Sequence, residues 1–126
     1  MHTWLSKGTL SVEGRYWVLK KFDLEERLIV FSVTIGGLTK QITKNYARIF
    51  LVEQLLRSGI SPALNYGKTQ SAESRKDYIH KIKIGLKELL ETFVRLKIIN
   101  KTKLYKSHYK LDIVIKENNE LISIFV

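Results

Sequence analysis

The chain has 126 residues, 44% of them hydrophobic and 27% charged, which fits one domain with a true core and argues against disorder. It has no cysteine, which excludes disulfides, thiolate metal sites and cysteine nucleophiles and favours a reducing compartment. Its 22 Lys and Arg against 12 Asp and Glu give a formal charge of +10, which favours polyanion partners, either nucleic acid or an anionic membrane surface. No apolar run reaches the roughly 18 residues that a membrane span requires. The N-terminal MHTWLSKGTLSVEGRYWVLKK lacks the unbroken apolar stretch of a signal peptide. The expected location is therefore the cytoplasm, with no membrane partner.

Residues 1–21 stand apart from the rest of the chain. Around Glu13 and Gly14 the segment partly alternates, and it carries Tyr16 and Trp17. It reads as a short hairpin, an arm or a weakly ordered extension. Residues 22–126 read as helices. Leu24, Leu28, Phe31, Ile35, Leu38 and Ile42 recur at steps of four and three and form one stripe. Asp23, Glu25 and Glu26 suit the positive end of a helix dipole, and Gly36 and Gly37 weaken or end that helix. Thr43 is a candidate N-cap for a second helix, whose stripe is Ile49, Val52, Leu56 and Ala63, widened by Phe50 and Leu55. Pro62 removes a helix hydrogen bond, so this helix either stops near Ser58 or kinks and resumes. The third helix opens on a capping-box-like Ser74-x-x-Asp77. Its predicted seam is Ile79, Ile82, Leu86, Leu89, Phe93 and Leu96. Ion pairs four apart, such as Asp77 with Lys81 and Glu91 with Arg95, support it. The fourth helix covers about Leu104 to Phe125, with Leu104, His108, Leu111, Ile115, Asn118, Ile122 and Phe125 on one stripe. Four amphipathic helices on short links predict an all-α, antiparallel four-helix bundle behind an N-terminal extension.

The sequence contains no HExxH, no Glu-x-x-His pair, no phosphate-binding glycine loop and no nucleophile elbow. His108 and Asp112 are too few for a metal site. The expectation is a protein with no catalytic residues, no metal and no cofactor. The chemistry that remains is charge placement. Lys76, His80, Lys83 and Lys87 follow steps of four, three and four along the third helix, flanked by Arg75 and Lys81. Such a strip suits a phosphate backbone without base readout; the alternative is an ordinary solvated face. Glu88 and Glu91 dilute its C-terminal end. Arg57 and Lys68 bring further charge to the junction between the second and third helices. Tyr66 and Tyr78 lie there too, either as base-stacking platforms or as core.

The run QLLRSGISPALNYGKTQSAESRKDYIHKIKIGLKELLETFVRLKII, Gln54 to Ile99, resembles the bacterial four-helix bundle proteins encoded in intervening sequences of large-subunit (23S) ribosomal RNA genes. FDLEERLIVFSV, Phe22 to Val33, resembles the start of the same family. The likeness covers Phe22 to about Ile99, is compatible with the fourth helix and leaves out the first 21 residues. It implies a four-helix bundle in which Asn65 and Gly67 mark the junction of the second and third helices, assembled as a ring-shaped homopentamer. Apolar flanks at Phe50, Leu55 and Leu90 are then available to neighbouring subunits. A distant relative, the accessory variability determinant of diversity-generating retroelements, binds a reverse transcriptase and structured RNA. The resemblance thus implies RNA or a nucleic-acid enzyme as partner, against the alternative of a self-assembling protein scaffold with no nucleic-acid role.

Overall fold

The computed structural model describes residues 12–42, 46–102 and 105–126, with side chains from residue 23 onward and excepting 46 and 47. It is an all-α four-helix bundle: α1 (Val12–Thr39), α2 (Tyr46–Lys68), α3 (Arg75–Thr102) and α4 (His108–Phe125), with no strand among the described residues. A short 3-10 turn, Thr69–Ser71, lies between α2 and α3. The short links at 40–45, 69–74 and 103–107 make successive helices antiparallel neighbours. Each helix packs on the next, and α1 meets α4 over a smaller contact that closes the bundle.

α1 buries the stripe that its spacing predicts: Leu28, Phe31, Ile35 and Leu38 are in the core and Leu24 packs against it, while Ile42 joins the core from the turn that follows the helix. Two open alternatives for this helix are decided. The segment from Val12 to Lys21 is its first ten residues and not a hairpin. Once a helix exists, extending it costs far less than nucleating a separate turn. The remainder of that segment, residues 1–11, lies outside the described residues. Gly36 and Gly37 do not end α1, which runs on to Thr39 because Ile35 and Leu38 are held in the core on either side. That burial outweighs the roughly 1 kcal/mol propensity cost of each glycine.

α2 runs through Pro62 to Lys68 without stopping at Ser58. Pro62 has no N–H for the Ser58 carbonyl. Its ring is fully buried, and the Ser32 hydroxyl of α1 lies 3.3 Å from the next carbonyl, that of Gly59. Small residues set the helix crossings. A Cβ on Gly59 would stand 3.0 Å from Ile35 of α1, and one on Gly85 of α3 would stand 2.8 Å from the Phe125 ring of α4. Where α2 crosses α3, the buried Ser58 and Thr92 hydroxyls are 2.8 Å apart. Asn118 of α4 is fully buried, and its side-chain amide donates to the Leu89 carbonyl of α3 at 3.1 Å. A core amide tied to one backbone carbonyl fixes the register of two helices.

The predicted stripe of α2 shifts. Leu55 is in the core, while Ile49 and Phe50 are exposed. Leu55 is therefore not a flank for neighbouring subunits, whereas Phe50 and Leu90 are exposed. The α3 seam rotates as well. Its buried line is Gly85, Leu89, Thr92, Leu96 and Ile99; Ile82 and Leu86 only edge the core, and Ile79 is exposed. Phe93 lies half-buried under the Lys97 ammonium, 5.2 Å from its ring centre. On α4, Leu111, Val114, Asn118, Leu121 and Phe125 are buried. His108 is exposed at the first position of α4, its Nδ1 3.0 Å from Asn100 Oδ1, and is not part of the core stripe. The true N-cap is Ser107, whose side chain accepts from the Lys110 N–H. Thr43 and Leu104 lie outside the described residues.

Candidate nucleic-acid interface

The 3.6-residue period of α3 sends its small and apolar residues inward and leaves the positions between them in water. Lys76, His80, Lys83 and Lys87 are exposed on that outer face, with Arg75 beside them at the first turn. Lys76 and Lys87 are eleven positions apart, about 16 Å along the axis at about 1.5 Å per residue. Arg75, Lys76, Lys83 and Lys87 form no ion pair among the described residues. Their ammonium and guanidinium groups are available to a ligand.

The start of this helix is firmly built. The Ser74 hydroxyl accepts the Asp77 N–H at 3.0 Å, as predicted, and the Asp77 carboxylate reaches one residue further back than in a capping box, accepting the Glu73 N–H at 3.2 Å. The Lys81 ammonium lies 2.6 Å from Asp77. The bond from Lys81, then the Glu73 N–H, hold the Asp77 carboxyl below its ordinary range. The cap keeps the first turn, with Arg75 and Lys76 on it, in one orientation.

The other candidates divide. Lys68 is exposed at the last position of α2. Lys81 is occupied by Asp77 and turned off the strip. Arg57 is spent on the bundle itself: it pairs with Glu88 at 3.1 Å and approaches Glu91 at 3.7 Å. Glu88 is only 7% exposed. Glu88 and Glu91 therefore face α2 and do not dilute the charge of the outer face. Tyr66 is core, its ring 6.3 Å from that of Phe125, and burial raises its phenol well above the usual range. Tyr78 is half-buried, and desolvation raises its phenol too. Tyr66 is thus no stacking platform. Asn65 and Gly67 precede the junction that they are expected to mark, since α2 runs on to Lys68. Asn65 sits within α2, and its amide donates back to the Ser61 carbonyl at 3.0 Å.

One feature of this face escapes the charge pattern. Continued at the same spacing past Lys87, the outer line of α3 becomes Leu90, Val94 and Ile98, all exposed. The signal was present in the sequence as the steps of three and four beyond the last strip lysine. It reads as core until the inward line through Gly85 and Thr92 is known.

No family model matches the chain, and no curated protein does. Among solved structures there is a close match in shape. The chain is similar to a protein of the S23 ribosomal protein family. That neighbour is a crystal structure of a protein of unknown function from Bacteroides thetaiotaomicron, 27% identical. The match covers 84% of this chain and 94% of that one, with a TM-score of 0.76. Among the described residues no helix is long and apolar enough to cross a membrane, and no group of His, Asp and Glu is placed to hold a metal ion.

Proposed function

We propose that this chain is a non-catalytic, basic bundle of the intervening-sequence-encoded kind, which assembles with copies of itself in the cytoplasm and binds RNA along the outer face of α3. The observation that carries the reading is the set of cations there, Arg75, Lys76, Lys83 and Lys87, exposed and without intramolecular acids in a chain of charge +10. Cations on a rigid helix track phosphates and release counterions, without reading base edges. Binding through them is broad and follows shape more than sequence. Repetition of the strip in an assembly, a homopentamer on the family resemblance, adds weak contacts through avidity. An RNA-bound bundle of this kind serves as an adaptor for a nucleic-acid enzyme such as a reverse transcriptase.

The test replaces Arg75, Lys76 and Lys83 together by Gln, which keeps helix propensity nearly constant. Affinity for structured RNAs of unrelated sequence should fall alike, and the slope of log K against log salt should flatten by about 2, at about 0.7 per lost phosphate contact. Circular dichroism and light scattering check that the variant keeps its fold and mass. Unchanged binding by such a variant removes the strip from any RNA surface. A second reading, a protein scaffold with no nucleic-acid role, is favoured by the apolar half of the same face. It predicts no RNA binding by the wild-type protein at physiological salt.

A further inference from the structure

The exposed surface is segregated in a way that the net charge hides. The α1–α4 edge gathers acids: Asp23 and Glu26 are exposed on α1, and Glu117 and Glu120 project from α4, where both bind Arg27 at 2.6 and 3.1 Å. Beside them lies an unpartnered apolar surface. Val33 is 70% exposed and Val30 53%. An open groove of about 490 Å³ between the two helices is lined by Val30, Phe31, Ile113 and Val114, and also by Lys116, Glu117 and Glu120. The outer face of α3 has the opposite charge and the same plan, with free Lys83 and Lys87 leading into Leu90, Val94 and Ile98. Val94 is 56% exposed.

We infer that these two faces are made for each other: the apolar half of α3 on one copy docks on the α1–α4 edge of a second copy of this chain. The inference rests on the reading of the chain as self-assembling, and it goes beyond that reading by naming both faces and their sense. Laid parallel, the spacings agree. Glu26 and Val33 are seven positions apart, as are Lys87 and Val94. Glu26 then meets Lys87 and Val33 meets Val94, while Val30, four past Glu26, falls one position beyond Leu90, three past Lys87. Ile98 falls over Gly37, whose missing side chain leaves open space. The centre of the contact is apolar and its rim is charged, the usual anatomy of a specific interface. The two faces are different surfaces, so the contact is head-to-tail, and each copy keeps one face of each kind for the next. Arg75, Lys76, His80 and Lys83 stay outside the contact, open to a polyanion, whereas Lys87 leaves the RNA-binding strip on assembly to pair with the second copy.

The head-to-tail sense gives a sharp test. Val33→Asp removes the acceptor face and Val94→Asp the donor face; both sites are largely exposed, so the monomer fold tolerates them. Light scattering at micromolar concentration should show the wild type above the 14.7 kDa monomer mass and each variant at it. Mixed in equal amounts, the two variants should form a species of twice the monomer mass, because each retains the face the other lacks. A charge pair checks the register without touching apolar residues: Glu26→Lys or Lys87→Glu should weaken assembly, and the double variant should regain it. A wild type of monomer mass overturns both self-assembly and this contact. Aspartate variants that assemble as the wild type does overturn the contact alone. A mixture that stays monomeric overturns the head-to-tail sense, and a double charge variant no better than its parents overturns the register.

Discussion

Gly36 and Gly85 both sit inside long helices and differ in what stands beside them. A Cβ at Gly36 meets nothing within 4 Å, whereas at Gly85 it would overlap the Phe125 ring. The first glycine is a propensity loss with no packing role; the second lets α4 approach α3. Gly36→Ala should therefore raise stability by about 0.4–1 kcal/mol, through a less flexible unfolded chain. Gly85→Ala should lower it by about 1–3 kcal/mol of overpacking strain, less the roughly 1 kcal/mol gain in propensity. Urea denaturation of the two variants gives the signs directly. A stabilised Gly85→Ala means that Phe125 swings away freely and that the close approach is incidental.

At the level of the helix, the inward line of α3 rather than its apolar count decides what the element contributes. Leu89 is fully enclosed, and its carbonyl receives the Asn118 amide. Phe93, larger and one turn on, is only partly buried, beside Lys97. Leu89→Ala should cost about 2–5 kcal/mol. Phe93→Ala should cost only about 1 kcal/mol, in keeping with its partial burial. Equal losses in denaturant midpoint would restore Phe93 to the core and rotate α3 back toward the seam that its spacing suggests. The same rotation explains Arg57. By turning Glu88 toward α2, it commits this arginine to a buried acid and withdraws it from any ligand.

For the molecule as a whole, two kinds of attraction act on one helix face and respond differently to salt. Phosphate contacts depend on counterion release and weaken steeply as salt rises. A contact centred on Leu90, Val94 and Val33 is mainly apolar, and salt screens only its charged rim. Raising salt from about 50 to about 200 mM should lower RNA affinity by an order of magnitude or more for three or more phosphate contacts per copy. Over the same range the assembled mass should hold. Light scattering and RNA titration on one salt series separate the two. Loss of assembly in parallel with RNA binding would mean that charge, and not the apolar half of the face, joins the subunits.

The helix count, the core stripe of α1, the Ser74–Asp77 cap and the line of Lys76, His80, Lys83 and Lys87 were all legible in the order of the residues. Each depends on chemistry within a few positions: period, propensity and local hydrogen bonds. Residue order did not say which of two adjacent lines on α3 faces inward. Ile82, Leu86 and Phe93 outweigh Gly85 and Thr92 in any count of apolar residues. Yet the small pair lies inside, because Phe125 and Ser58 on other helices need the room. Only tertiary contacts carried α1 through Gly36 and Gly37 and α2 through Pro62, where burial of Ile35, Leu38 and the proline ring outweighs local cost. The candidate site divides along the same line. The presence of its cations was legible in their spacing. Whether each is free was not, since the partners of Arg57, Glu88 and Glu91 come from different helices, brought together by the packing of α2 on α3.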